Sequence, residues 1–293
     1  MIDASILSKV LSDYKKDFIT RQWQEEKYKW EAVKHFQDYW DINAVDFVSM
    51  FSKSIGKTGN LLLSYNYFPV GMIIEFAKKD SEATRSMFIN LFDENKDLID
   101  RVESFITSSE KMRAQYGEGT WKQHFQNANS VTTYLWLRYP DKYYIFKYSE
   151  FVEVSRVLDS DFTPKRGATA HNIAGGFRMY DEISKHLAND KELVQMLQSS
   201  LTESCYPDPA LKTLTIDVGF YISRNYPKNK NETESDWFPK GYSPNITKEQ
   251  WVSLLSNPTI FTLDSLKVMK RLKDFGGAAS CIQLADKYGE SYN

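Results

Sequence analysis

The chain has 293 residues, 42% of them hydrophobic and 26% charged, and a formal net charge of -2. These are values of an ordinary globular protein with one large domain or two, and the charge excludes a generally basic nucleic-acid binder, so any nucleic-acid surface has to be local. Aromatic residues reach 15%, with 18 Tyr, 18 Phe and 7 Trp, which promises a firm core because each ring brings a large buried area.

Helical spacing begins at once: Ile6, Val10, Leu11, Tyr14 and Phe18 fall on one face. A second helix is predicted over Trp23 to Trp40, with Val33, Phe36 and Trp40 in register and Glu25 placed to pair with Lys29 at i,i+4. A third carries Phe47 and Phe51 behind Asn43 as N-cap, with Asp46 in its first turn. Ser54 to Pro69, with Gly56, Gly59 and Asn60, reads as a loop. Ser81 is the expected cap of a helix striped by Met87, Phe88 and Leu91, and Asp97 to Ser108 repeats the pattern with Leu98, Val102, Phe105 and Ile106.

The stretch Ser130 to Leu158 is the most aromatic. Val131 to Leu137 suits a helix or a strand, Pro140-Asp141 a turn, Tyr143 to Phe146 a short strand, and Ser149 the cap of a further helix with Glu150 at its positive end. After Asp161, FTPKRGATAHNIAGGF reads as a looser segment, followed by helices from Arg178 to Leu187 and from Asp190 to Leu201. Asp208-Pro209 is a helix start signal. LKTLTIDVGFYISRNY is ambiguous between helix and strand, with helix preferred. Tyr226 to Asn245 is polar and proline-punctuated, a linker. Beyond it Thr247 and Gln250 form a capping box, Thr262 starts a helix, Gly276-Gly277 stop it, and a second helix runs from Cys281 to Tyr288.

The expected architecture is therefore mainly α. A multi-helix domain over 1–225, with at most a small β element, is followed by a linker over 226–246 and a small helical, helix-turn-helix-like module over 247–293. In a helix-turn-helix the next helix would read base edges in the major groove. The alternative is a helical hairpin used only for packing.

Motifs of catalysis are sparse. Gly56-Lys57-Thr58 imitates the end of a phosphate-binding loop, but Phe51 stands where its first glycine is needed. His35, His124, His171 and His186 lack metal-ligand spacing, and Cys205 and Cys281 lie far apart, so neither zinc nor another cofactor is expected. The cysteine usage suits a reducing cytoplasm, and no apolar run approaches the roughly 20 residues of a membrane span. Asn172 to Phe177, behind Lys165-Arg166, offers either glycine-exposed amides to a phosphate at a helix start or merely a flexible turn.

Four segments resemble a family: KWEAVKHFQ (Lys29 to Gln37), SEATRSMFINLFDE (Ser81 to Glu94), YLWLRYPDKYYIFKYS (Tyr134 to Ser149) and the tail DWFPKGYSPNITKEQWVSLL with GGAASCIQLADKYG. Together they are similar to the N-terminal region of McrB-type AAA+ proteins, the GTP-driven motor subunits of modification-dependent (type IV) restriction systems. No Walker motif of that motor occurs in the chain. The resemblance implies a non-enzymatic recognition region of a phage-defence protein that engages DNA, often modified DNA, with an AAA+ motor in cis and a nuclease subunit in trans. By charge and aromatic interleaving, the expected DNA contacts are Arg138, Lys142, Tyr143, Lys147, Lys165 and Arg166, through phosphate pairing and base stacking. The alternative is a protein-interaction module that senses a protein trigger or docks the motor ring. The tyrosines and phenylalanines of Ser130 to Leu158 serve the core more readily than a base platform.

Overall fold

Short polar side chains start most of the helices, because each accepts backbone N–H groups that a first turn leaves without partners. The structure is a computed structural model describing residues 1–63, 67–226 and 246–274, with 284, 287 and 288. In it α1 (Ala4–Asp17) begins on Asp3 and continues through a π-helical turn, Phe18–Gln22, and α2 (Trp23–Glu26) into α3 (Tyr28–Tyr39). α4 (Phe47–Ser54) begins on Asp46, and a short α5 (Gly59–Leu62) precedes α6 (Pro69–Lys79), which has proline in its first turn. α7 (Ser81–Phe92) begins on Asp80, α8 (Leu98–Tyr116) on Asp97 and α9 (Ala128–Arg138) on Asn127. α10 (Tyr148–Val157), α11 (Thr169–Asn189), α12 (Lys191–Ser200, begun on Asp190) and α13 (Lys212–Asn225) complete the helices of one compact unit, Met1–Lys230. A second unit, Asn231–Asn293, contains α14 (Lys248–Leu255) and α15 (Leu263–Asp274). The chain is mainly α, with no strand among the described residues.

Two helices of the first unit are buried all round: Ser130–Leu137 of α9 and Thr213–Ile222 of α13. A helix without a polar face belongs at the centre of a body, and α9 packs on α3, α7 and α8 while α13 packs on α1, α10 and α11. Trp136 Nε1 donates to Thr213 Oγ1 at 3.3 Å, joining the two. An aromatic cluster of Trp40, Phe47, Phe51, Phe88, Phe105 and Tyr134 fills the space beside α9.

The core also contains charge. Lys29 is fully buried, and its ammonium donates to Asp217 at 2.6 Å and to Glu26. Tyr14 and Gln22 donate to the other Asp217 oxygen at 2.6 and 3.0 Å, and Arg224 pairs with the second Glu26 oxygen. Burial raises Glu26, but Lys29 and Arg224 outweigh it and hold the carboxyl below its ordinary value. The i,i+4 pairing read for Glu25 with Lys29 is thus replaced by i,i+3 pairing with Glu26, because α3 turns Lys29 inward toward α13.

Other helix starts differ by short steps. Asp46, not Asn43, caps α4, taking the Ser49 N–H at 3.0 Å and its hydroxyl at 2.6 Å. Asp80, not Ser81, caps α7. Within Ser54 to Pro69 the chain forms α5, so it is not all loop. Tyr143 to Phe146 forms no strand: the Tyr143 N–H donates to the Tyr139 carbonyl at 3.2 Å and the Phe146 N–H to Thr132 Oγ1 at 2.9 Å. The expected loose segment ends at Ala168: α11 runs straight through Gly175-Gly176, where an added Cβ would overlap Phe162 and Phe151 respectively. Those glycines allow close packing rather than a turn. Asp208-Pro209 does not open α13 directly. Asp208 reaches forward to the Thr213 and Leu214 N–H groups at 3.1 and 2.8 Å, and the helix begins at Lys212.

In the second unit Thr247 and Gln250 form the expected capping box, and the Ser265 N–H donates to Thr262. The Gly276-Gly277 stop and most of the Cys281 to Tyr288 helix lie outside the described residues, as does 226–246 except for its two ends.

Candidate functional site

The six expected contact residues separate to opposite ends of α9. Arg138, Lys142 and Tyr143 stand at its C-terminal end. Lys147, Lys165 and Arg166 lie near its start, roughly 15 Å away along a helix of this length.

The C-terminal group is used internally. Tyr143 is buried, and its hydroxyl accepts from Arg101 at 2.7 Å and donates to Glu94 at 2.7 Å. Lys142 pairs with Glu94 at 2.7 Å, a bond that raises its ammonium above the ordinary lysine value. Arg138 lies over the Tyr139 ring at 4.9 Å. Base stacking on Tyr143 would require unpacking this end of the core, because one ring face cannot be in two places.

The other group borders a cleft of about 660 Å³. Three helix starts form it. Asn127, Ala128 and Asn129 come from α9, Lys147, Tyr148 and Ser149 from α10, and Arg166, Gly167 and Thr169 from the turn into α11, with Phe146 and Asn172 between them. The sequence builds this turn locally. Asn172 accepts the Lys165 N–H at 2.8 Å and donates to the Lys165 carbonyl at 2.7 Å, while Gly167 takes a φ of 75° that disfavours side chains. The hydrogen bond from Phe146 to Thr132 holds the approach to α10 against α9.

The three starts are not alike. Asn127 and Ser130 close a reciprocal capping box on α9. α10 and α11 have no side-chain cap: Lys147 and Ala168 occupy their N-cap positions. Ser149, expected to cap α10, is already inside the helix. Uncapped N–H groups and the positive end of the helix dipole suit an anion. Arg166 is exposed and makes no hydrogen bond or ion pair among the described residues, as is true of the Lys165 side chain, which stands outside the cleft. Lys147 pairs with Glu150 at 2.7 Å. No carboxylate lines the cleft; the hollow between α7 and α8 is also acid-free but carries a single cation, Lys111, whereas the hollow at the end of α8 carries Glu110 and the one at the end of α13 carries Asp13 and Asp17. In a chain of net charge -2, this cleft carries two cations and no acid.

The residues that sequence reasoning passed over are Asn127, Asn129, Tyr148 and Thr169, while Asn172 was singled out only as the start of a glycine-bearing phosphate loop. Their only signal was position: each stands within two residues of a helix start or braces one. The lining offers cations, amides and hydroxyls and contains neither imidazole nor carboxyl. No group of His, Cys, Asp and Glu among the described residues is arranged to hold a metal, and no described helix is long and apolar enough to cross a membrane. Against known proteins, the chain matches no family model, no curated protein and no solved structure.

Proposed function

We propose that the chain is a non-catalytic recognition region that seats a phosphate-bearing ligand, DNA in the first instance, in the cleft between the starts of α9, α10 and α11. The observation that carries this reading is the cleft's acid-free lining, with Lys147, Arg166 and two helix starts that no side chain caps. The similarity to McrB-type N-terminal regions adds the context of a cytoplasmic restriction system, with an AAA+ motor continuing the polypeptide, a separate nuclease subunit and modified DNA as the trigger. Of the six residues first considered, Arg166 and Lys147 become the principal contacts, with Lys165 beside them.

The test is a titration of labelled duplexes, methylated and unmethylated, at several salt concentrations. Binding should weaken with salt in proportion to the phosphates engaged. Arg166→Ala should lower the salt slope by about one, whereas Lys142→Ala, at the far end of α9, should leave it unchanged. A folded protein that binds neither duplex at low salt overturns the DNA reading.

A second reading has its own observation. α14 and α15 bury none of their residues, and Trp251, Val252, Ile260, Leu263, Val268 and Met269 are exposed in the second unit. Apolar surface of this kind favours a protein partner, and that unit is where docking to a motor ring or a protein trigger would be sought.

A further inference from the structure

The cation nearest the core of the cleft is also the counter-ion of a buried acid. Glu150, in the first turn of α10, is 5% exposed. One of its oxygens accepts from Lys147 at 2.7 Å, and the other, Oε2, is buried with no hydrogen-bond partner. Every other charge around it is committed elsewhere. Lys29 from α3 is bound to Glu26 and Asp217, and Arg224 from α13 to Glu26. Tyr180 from α11, which stacks on Phe151 beside Glu150, has a buried hydroxyl that also lacks a partner. Burial already pushes the Glu150 carboxyl above its ordinary value, with Lys147 first among the charges that oppose the rise.

We propose that an anion seated in the cleft competes with Glu150 for Lys147, so that binding there takes up one proton from solvent at Glu150. The inference rests on the cleft being an anion site. A lysine ammonium that turns to a ligand phosphate leaves behind a carboxylate with no hydrogen bond on either oxygen. A buried carboxylate in that position is far less costly when neutral. The protonated acid is also a donor, which the charged one is not, and it stands in the packing layer that contains the unpartnered Tyr180 hydroxyl. The sign follows from linkage: binding raises the Glu150 value further, so affinity increases as pH falls through the interval between the free and bound values and levels off on either side.

The experiment uses the full chain and an oligonucleotide without terminal phosphate, whose diesters do not titrate between about pH 5 and pH 8. Calorimetric titrations in two buffers of different ionisation enthalpy read proton uptake directly. The expected result is uptake of up to one proton per ligand and an affinity gain approaching tenfold per pH unit within the linked interval. Glu150→Gln, which cannot take the proton and no longer holds Lys147 by charge, should bind more tightly near neutral pH and lose the pH slope. A slope that survives in Glu150→Gln overturns the proposal. Binding that is abolished by Arg166→Ala but releases or takes up no proton in the wild-type protein also overturns it, while leaving the anion site intact. No binding by the wild-type protein at any pH removes both together. Should Glu150→Gln fail to fold, the two-buffer measurement on the wild-type chain decides alone.

Discussion

The ion cluster at Lys29 and the cleft at Arg166 place charge in opposite circumstances within one unit. At Lys29 every charge is answered: the ammonium meets two carboxylates, and Asp217 receives Lys29, Tyr14 and Gln22. At the cleft Arg166 has no partner among the described residues, and two helix starts have no cap, although six helices of the same unit begin on an Asp or Asn that accepts N–H groups from the first turn. A saturated polar cluster fixes the arrangement of α2, α3 and α13. An unsaturated one is free to respond to something outside the chain. Stability should therefore depend on the first and binding on the second.

The largest effect that sharpens this contrast comes from Lys29→Met. The methionine fills similar volume but leaves Asp217 and Glu26 buried without their shared counter-ion, a loss of about 3–5 kcal/mol in unfolding free energy. Chemical denaturation would register it. If Lys29→Met is as stable as the wild type, the cluster is not saturated in the sense argued, and the contrast fails on its structural side. Lys29 does not line the cleft, so ligand binding by the folded molecule loses no direct contact.

How much of this was legible in the sequence depends on distance along the chain. Several helices and the Thr247–Gln250 box follow from contacts over three or four residues, which spacing rules describe, whereas α6, the part of α8 beyond Ser108 and the part of α11 before Arg178 are not read from them. Spacing pairs Lys29 with Glu25, because the partner that draws it into the core beside Glu26, Asp217, lies 188 residues away. Gly175-Gly176 looked like a loop because glycine weakens an isolated helix. The rings of Phe162 and Phe151 that require their lack of a side chain are visible only after folding. The cleft was half legible. Lys147, Lys165 and Arg166 stand out as cations, but a missing cap is not a residue that can be read. Ser149, two positions past the N-cap at Lys147, disguised the absence.

Gly219 tests the packing that separates these two regions. An added Cβ would overlap the Tyr180 hydroxyl inside the layer formed by α10, α11 and α13. Gly219→Ala should cost about 1–3 kcal/mol through overpacking, reduced by any intrinsic helical gain of alanine. Because Tyr180 is packed beside Glu150, the variant should also alter the proton uptake on binding, a readout that a purely local clash near α1 would not move. An unchanged melting temperature would show that Tyr180 has room to shift, and so that this layer is softer than the ion cluster beside it.

The smallest effect on stability is the most discriminating, because its sign differs between the two properties. Ala168→Asp places a carboxylate at the N-cap of α11, where no side chain accepts the first-turn N–H groups. As a cap it should stabilise the protein by about 1 kcal/mol, within the usual range for introducing an acidic N-cap, provided the N-cap backbone, at φ -91° and ψ 67°, relaxes slightly toward the extended region. The same carboxylate would occupy the donors that the anion needs and would bring a negative charge to the edge of the cleft near Arg166. Affinity for the phosphate-bearing ligand should then fall while the melting temperature rises. A variant that is more stable and binds equally well would mean that the open helix start serves no ligand, and the cations alone would have to account for any binding. Loss of both stability and binding would mean that the turn at Lys165 to Ala168, braced by Asn172, has no room for a cap, so that its openness is a consequence of packing rather than a provision for an anion.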